Sequence, residues 1–169
     1  KEKLKLIYGV SKDKASIWFP WFLECIVFAE LNTRKRIACF LAQIGHESGR
    51  LRYVRELWGP TKQQLRYEGT TLAKRLGNTE VGDGKRYLGR GLIQVTGRYN
   101  YRKTYENLSK YFSDVHNFEI EPEKLEEYRW AALSAAIYWK DRKLNRFADA
   151  DDFLGLTKAI NGGTNGLED

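Results

Sequence analysis

The spacing of its apolar residues constrains the fold of this chain more than any other feature. In the segment RKRIACFLAQIGHE (34–47), apolar residues recur three or four positions apart, which is the period of an α-helix. Thr33 precedes this run and can cap it, while Ser48 and Gly49 are expected to end it. Sustained strand-like alternation is absent, and 92–96 is the only plausible short strand. The sequence therefore predicts a mainly α-helical chain.

The same periodicity predicts further helices along the chain. A buried helix is expected over 21–31, because apolar residues cover most of its surface and Pro20 suits a first helical turn. Helices are also predicted over 100–111, 126–142 and 151–160. The segment 58–86 is rich in turn residues, so it is interpreted as a long functional loop region around two short helical pieces, TKQQLRYE and TLAKRL.

The length of 169 residues, of which 42% are hydrophobic, predicts one globular domain over 1–169. The longest apolar stretch, 17–29, is interrupted by Pro20 and Glu24 and is shorter than the roughly 20 residues that a membrane span requires. We therefore expect a soluble protein without stable membrane insertion. No secretion signal is visible in the first residues.

The cysteines and histidines do not form a pattern typical of a metal site. Cys25 and Cys39 are too few for a disulfide scaffold and are interpreted as buried free thiols. His46 and His116 lie far apart in sequence and near no ligand-spaced cysteine pair. We expect no metal ion.

The net charge of +7 is unevenly distributed along the chain. Residues 50–110 carry 14 basic and 5 acidic side chains, whereas residues 111–169 carry 7 and 12. A basic segment of this kind favours an anionic partner, which could be nucleic acid, an acidic polysaccharide or a cell wall. A solvated basic face without a partner accounts for the charge equally well.

The segment GHESGRLRYVRELW (45–58) contains two glutamates, Glu47 and Glu56. On one continuous helix their separation amounts to about 2.5 turns and about 13 Å, so the two side chains would face opposite sides. A break at Ser48 and Gly49 would let the chain fold back and bring them together across a cleft. Two carboxylates about 6.5–9.5 Å apart leave room for one water beside a glycosidic bond, as an inverting glycosidase requires. The spacing alone also fits two ordinary charges.

Neighbouring charges suit one role better than the other. Arg55 would favour the ionised form of Glu56, as a general base needs. Glu47 would have to stay protonated to act as an acid. Arg50 and Arg52 would oppose this unless burial at the helix end prevails.

The segment YLGRGLIQVTGRYNY (87–101) is a second candidate for function. Its glycines let the backbone approach another surface closely, and Gln94, Thr96 and Asn100 supply neutral hydrogen-bonding groups of the kind that bind sugars. The tripeptide GRG also occurs in nucleic-acid-binding segments, but there it is normally repeated within disordered sequence. A single copy between hydrophobic residues does not favour nucleic acid.

Several segments together resemble a known family. AQIGHESG, VRELWGPT, LAKRLGN, GDGKRYLGRGLIQVTGRYNY, AALSAAIYWK and KAINGGTNGL occur in the order typical of family 19 glycoside hydrolases. The resemblance covers about 33–167 and is greatest to the bacterial and phage members, the chitinase-like endolysins. It implies a mostly α-helical, lysozyme-like domain with two lobes, a substrate cleft between them, and single displacement with inversion.

The resemblance also implies a role for individual residues. Glu47 corresponds to the general acid and Glu56 to the base that activates a water, with Thr96 helping to hold that water. The positions that contact sugar correspond to Gln94, Asn100 and Asn161, and those that line or support the cleft to His46 and Tyr87. A glutamate pair of this kind needs no cofactor.

The chain departs from the family pattern in three respects. Plant-type members use several disulfides, which two cysteines cannot reproduce. Gly49-Arg50 stands where many relatives carry a second glycine. The basic segment 50–110 suits an anionic, peptide-bearing wall better than neutral chitin.

These observations predict an endolysin that hydrolyses β-1,4 bonds between the amino sugars of bacterial peptidoglycan and so lyses the cell wall. A chitinase with the same residues and mechanism is the first alternative. A lytic transglycosylase is the second, because QIGHESG also resembles the ESG motif of that class. A non-catalytic module that binds cell wall or nucleic acid is the third.

The partner and location follow from the leading hypothesis. We expect peptidoglycan or a chitin-like polysaccharide as the partner, no nucleic acid, and a monomer. The protein would be made in the cytoplasm of a bacterial host and act on the wall in the periplasm. The sequence leaves the route of export open.

Overall fold

A central helix organises the computed structural model, which describes residues 1–161. This helix, α8, is Tyr128–Asp141, and most of its residues are buried because small side chains let neighbouring elements approach from several sides. The other α-helices are α1 Glu2–Tyr8, α2 Lys12–Phe28, α3 Arg34–Glu47, α4 Lys62–Leu65, α5 Thr71–Leu76, α6 Asp83–Arg86, α7 Arg98–Leu108, α9 Asn145–Asp149 and α10 Phe153–Asn161. A 3-10 helix, Pro122–Glu126, precedes α8.

Helix α8 packs against α2, α7 and the 3-10 helix, while α1 packs on α2 and α3 packs on α9. The core is largely aromatic. Trp18 of α2 meets Tyr128 edge-on at a centroid distance of 4.9 Å, and Phe40 of α3 meets Trp139 in the same way at 5.3 Å. The prediction of a mainly α-helical chain is confirmed.

The glycine-rich segment 87–97 is fixed directly to α8. The Leu92 amide donates to the carbonyl of Ala131 at 3.0 Å. At Gly91, where φ is +76°, a Cβ atom would lie 2.5 Å from the hydroxyl oxygen of Ser134. Only glycine therefore allows this backbone to lie against the helix.

Arg90 occupies the neighbouring position and is buried, which is unusual for an arginine. Its guanidinium group donates to the carboxylate of Glu126 at 2.7 Å, to the carbonyl of Arg86 at 2.7 Å and to the hydroxyl of Tyr101 at 2.9 Å. The arginine of the GRG tripeptide is thus an internal structural group and is not available to a nucleic acid.

The helix predicted over 21–31 is wrong at both ends. Helix α2 begins at Lys12, where the hydroxyl of Ser11 accepts from the Lys14 amide, and it ends at Phe28. Pro20 lies inside the helix, because packing on α1 and α8 outweighs the loss of one backbone hydrogen bond. Pro20 is exposed on the solvent side of α2, where the backbone hydrogen bonds of a helix lengthen most readily.

The short strand predicted over 92–96 is also wrong. Within residues 1–161 the backbone forms no strand, only two isolated bridges, which pair Arg55 with Arg90 and Arg90 with Val95. The segment turns sharply instead, with a positive φ at both Gly91 and Gln94. Its apolar residues face the core from this turn and do not alternate along a strand.

Four short elements escaped the sequence analysis: α1, α6, α9 and the 3-10 helix. Each has at most seven residues, too few for a helical period to stand out. No helix among residues 1–161 combines the length and the apolar character needed to cross a bilayer. Cys25 is buried and Cys39 is partly buried, and both are free thiols.

The packing of Gly91 on α8 predicts a large loss of stability on substitution. Gly91→Ala should lower the free energy of unfolding by about 3 kcal/mol, because left-handed strain and overpacking each contribute about 1–2 kcal/mol. Gly69→Ala is the matched control, with a similar φ of +60° and nothing within 4 Å of the added methyl group. It should cost only the strain, and urea unfolding compares the two. Equal losses would contradict the packing argument.

Candidate active site

Glu47 is the last residue of α3, and the chain reverses direction immediately after it. Gly49, Arg50 and Leu51 all have positive φ, at 56°, 60° and 64°. The hydroxyl of Ser48 donates to the carbonyl of Ile44 at 2.7 Å and accepts from the Leu51 amide at 2.9 Å. The predicted break at Ser48 and Gly49 is therefore confirmed.

Burial at the end of α3 raises the pKa of the Glu47 carboxyl above its ordinary value. The opposing influence is the imidazole of His46, which lowers this pKa. Arg50 and Arg52 had been expected to oppose protonation, yet neither contributes to the shift, and Arg52 lies over the ring of Tyr53 instead. Burial prevails, so Glu47 retains its proton to a higher pH than an exposed glutamate does.

Glu56 is bonded to the glycine-rich segment through both its backbone and its side chain. Its amide donates to the carbonyl of Gly89 at 2.8 Å, and the Gly89 amide donates to Oε2 of Glu56 at 3.0 Å. Two residues further along the glycine-rich segment, the Gly91 amide donates to the carbonyl of Val54 at 2.9 Å. This pairing fixes the direction of the Glu56 side chain.

The other carboxylate oxygen of Glu56, Oε1, accepts from Nε2 of Gln64 at 2.9 Å and from the hydroxyl of Tyr67 at 3.4 Å. Burial, reinforced by the charge of Glu56, raises the pKa of Tyr67 to about 12, so its hydroxyl remains a donor. Arg55 had been expected to act on Glu56, but its guanidinium group pairs with Glu126 at 3.8 Å. Neutral donors thus take the place of the predicted cation.

Gln64 is fully engaged in holding this part of the chain. It is buried, and its Nε2 also donates to the carbonyl of Leu57 at 2.7 Å. Its Oε1 accepts from the amides of Gly59 at 3.2 Å and Thr61 at 2.7 Å. Thr61 and Gln64 form a capping box at the start of α4.

The sequence analysis missed Gln64 and Tyr67. The T-x-x-Q spacing of a capping box at Thr61 was a usable signal, because it predicts a helix start that turns the glutamine back along the chain. Nothing in the sequence indicated that Tyr67 reaches Glu56.

Three polar oxygens converge at Gly89. A Cβ atom at this glycine would lie 2.6 Å from Oε1 of Gln94, 3.3 Å from Oγ1 of Thr96 and 3.4 Å from Oε2 of Glu56. The hydroxyl of Thr96 donates to the carbonyl of Gln94 at 3.0 Å, which fixes its orientation. The structure therefore brings together Glu56, Gln94 and Thr96, three of the residues that the sequence singled out.

A cleft of about 280 Å³ opens beside these groups. Gln94, Thr96 and Asn100 line it, as do Tyr138 of α8 and Arg142, which directly follows that helix. Glu47 lies close enough to α8 for its charge to raise the pKa of Tyr138, although burial is the larger cause. Neither glutamate lines the cleft, but Glu47 acts on the lining residue Tyr138, and Glu56 meets the lining residues Gln94 and Thr96 at Gly89.

Two other predicted residues, Tyr87 and His46, do not line the cleft. Tyr87 is buried, and its hydroxyl donates to the carbonyl of Glu119 at 2.9 Å, so its ring offers no surface to a ligand. His46 is half-buried and lines a separate pocket of about 180 Å³. Asn161 ends α10, but its side chain lies outside the described residues and its role stays a prediction.

Part of the positive charge of residues 50–110 is paired within the fold. Arg98 pairs with Asp83 at 2.6 Å, and Arg102 pairs with Glu119 at 2.6 Å. With Arg90 on Glu126, these pairs join the basic segment mainly to acidic residues elsewhere in the fold. Among the described residues only two carboxylates outside the segment, Glu119 and Glu126, pair with it, so they offset part of its excess of nine basic side chains. Within residues 1–161 no group of histidines, cysteines and carboxylates is arranged to hold a metal ion.

The chain is similar in sequence to known proteins. No family model matches the chain. It is 34% identical over 157 residues to a glycosyl hydrolase family 19 domain-containing protein of Haemophilus influenzae, covering 78% of this chain and 73% of that protein. It is 28% identical over 135 residues to the Endochitinase CHI of Arabidopsis thaliana, covering 79% of this chain but only 45% of the plant protein.

The fold matches the crystal structure of chitinase C from Streptomyces griseus HUT6037, with a TM-score of 0.68 and 19% sequence identity. The match covers 95% of this chain and 78% of that one, which confirms the predicted lysozyme-like helical fold. Identity of 34% across most of the Haemophilus protein also confirms the resemblance carried by the motifs. The chain belongs to glycosyl hydrolase family 19.

Proposed function

We propose that this O-glycosyl hydrolase acts as an endolysin, cleaving β-1,4 bonds between the amino sugars of bacterial peptidoglycan with inversion of configuration. The convergence of the Glu56, Gln94 and Thr96 oxygens at Gly89, beside the cleft, is the observation that carries the mechanism. It leaves a small polar space next to a carboxylate whose direction is fixed, as activation of a single water requires.

In the proposed reaction, Glu56 is the general base. A water held between Oε2 of Glu56 and the hydroxyl of Thr96 attacks the anomeric carbon and loses a proton to Glu56. Gln64 and Tyr67 support this role, because their hydrogen bonds to Oε1 leave Oε2 as the oxygen on the side of Thr96. Gln64 is thus a positioning residue for the base.

Glu47 is the general acid in this proposal. It transfers its proton to the glycosidic oxygen as the bond to the anomeric carbon breaks, so one proton enters the leaving group while another is taken from water. The raised pKa of Glu47 supports the assignment, since an acid must be protonated at the pH of the reaction.

Arg142 supports peptidoglycan over chitin as the substrate. Its guanidinium carbon lies 4.3 Å from the centroid of the Tyr138 ring, which holds the cation in the cleft wall. Within residues 1–161 it forms no ion pair, whereas the other cation of the cleft, Lys103, pairs with Glu106. The free carboxylates of the peptidoglycan stem peptides suit such a cation, and chitin carries no carboxylate.

A chitinase is the second candidate function. Its support is the similarity of the chain to the Endochitinase CHI and the match of its fold to chitinase C. The neutral hydrogen-bonding groups Gln94 and Asn100 in the cleft suit the N-acetyl and hydroxyl groups of chitin as well as those of peptidoglycan. The two candidates share the acid and the base, so the substrate alone separates them.

Glu47→Gln should lower turnover of purified peptidoglycan by about 10³-fold, because the amide cannot donate a proton at neutral pH. Mass spectrometry should show hydrated reducing ends from the wild type, and the sugar at that end identifies the linkage. Anhydro ends would contradict the two-glutamate mechanism. Glu123→Gln, at an exposed position, is the surface control. Full activity of Glu47→Gln would contradict the assignment of Glu47 as the general acid.

The same substitution should not destabilise the protein at neutral pH. A carboxyl whose pKa is raised by folding contributes its full stability below the unfolded pKa, near 4.3, and loses it as the pH rises through the folded pKa. At pH 7 the wild type therefore bears the cost of a partly buried carboxylate, which Glu47→Gln removes. Thermal unfolding should give a melting temperature equal to or above that of the wild type.

Gln64→Met should lower kcat by about 10–100-fold with KM within about twofold, because the base loses its direction while the cleft keeps its shape. Gln63→Met is the matched control on the same helix, where the side chain is exposed. A change confined to KM, or an equal effect of both variants, would show that Gln64 does not position the base.

Arg142→Gln should lower activity on peptidoglycan by about tenfold and leave activity on chitin oligosaccharides unchanged, because only the first substrate offers carboxylates. Arg146→Gln is the matched control, since Arg146 lies over Phe147 at 4.8 Å and lines a different pocket. Wild-type activity on chitin alone would move the assignment to a chitinase.

A further inference from the structure

An apolar groove of about 580 Å³ lies between α1, α2 and α3 and shares no lining residue with the cleft. Its lining comes from all three helices, with Ile7 on α1, Leu23 and Ile26 on α2, and Ile37 on α3. A groove of this size between three packed helices leaves apolar surface in contact with water, which a stable fold usually minimises.

The apolar surface extends beyond the walls of the groove. Leu6 on α1 is 79% exposed and Val27 on α2 is 80% exposed, and neither lines the groove. Val27 follows Leu23 by four residues, so both lie on the same face of α2. Ile7 is also 52% exposed. Together these side chains form an apolar face around the groove.

The charged side chains that line the groove are all cations: Lys1, Lys3 and Arg34. No carboxylate lines the groove, and the acidic residue of α1, the exposed Glu2, lies one helical turn before Leu6. The carboxylates of α2 and its end that are nearest in sequence, Glu24 and Glu30, pair with Arg129 and Lys140. In the part of the chain that the structure describes, Lys1, Lys3 and Arg34 form no ion pair.

We propose that this face binds the surface of a membrane rich in anionic phospholipid. Exposed apolar side chains enter the boundary between headgroups and acyl chains, and the three cations meet the lipid phosphates. A ligand confined to the groove, such as a single acyl chain, would leave Leu6 and Val27 in water, whereas a lipid surface covers both. This inference does not rest on the proposed substrate or mechanism.

Binding to sedimented vesicles tests the proposal. The whole chain should bind phosphatidylglycerol vesicles at least about tenfold more tightly than phosphatidylcholine vesicles, and added salt should weaken that binding, because three cations contribute to it. Equal binding to both lipids, or no binding to either, would overturn the proposal.

Two double variants separate the apolar and the cationic contributions. Ile7→Ser with Leu23→Ser, and Lys3→Gln with Arg34→Gln, should each weaken binding to phosphatidylglycerol by about tenfold or more. The matched controls lie elsewhere on the surface: Val81→Ser with Ile120→Ser, and Lys143→Gln with Arg146→Gln. Binding by the controls should stay within about twofold of the wild type, and circular dichroism should show that all four variants are folded.

A second copy of the chain is the competing occupant. Sedimentation equilibrium should show a monomer whose mass is the same for the wild type and the Ile7→Ser, Leu23→Ser variant. A dimer that dissociates in this variant would assign the face to self-association and overturn the lipid proposal. The variant should hydrolyse isolated peptidoglycan at the same rate as the wild type. Vesicle binding is measured without peptidoglycan, so the lipid proposal is tested even if the protein does not hydrolyse that substrate.

Discussion

The attachment of the glycine-rich segment 87–97 to its two neighbours is the constraint on which the site depends. On one side Leu92 bonds to the carbonyl of Ala131 on α8, and on the other Gly91 bonds to the carbonyl of Val54. Glycine is required at Gly91 because the backbone must lie against Ser134. Through this segment the central helix determines where Glu56, Gln94 and Thr96 meet.

The sequence predicted best those features that repeat over several turns or depend on one strong local signal. Helix α3 is an example, because four apolar residues follow its period, Thr33 caps it, and glycine follows its end. The predicted start of α2 was wrong because Pro20, an ordinary helix-start signal, lies inside a helix that tertiary packing maintains. The strand prediction for 92–96 was wrong because a run of apolar residues in a tight turn resembles a short strand in sequence.

The prediction of the site shows the same division. Motif order placed Gln94, Thr96 and Glu56 in one region, and the structure brings them together. The sequence did not predict the hydrogen-bond partners of Glu56. The adjacent residue Arg55 pairs with Glu126 instead, and a short capped helix brings Gln64 to Glu56. A count of charge along the chain likewise leaves out ion pairs that form across it, such as Arg102 with Glu119.

The two hydrogen bonds between Glu56 and Gly89 have a mechanical consequence. Because the backbone and the carboxylate of Glu56 are both hydrogen-bonded to Gly89, this carboxylate and the hydroxyl of Thr96 are held by one segment of the chain. Glu47 belongs to another, the end of α3. A movement of the end of α3 relative to the glycine-rich segment would therefore change the separation between the two carboxyl groups and leave the hydrogen bonds around Gly89 intact.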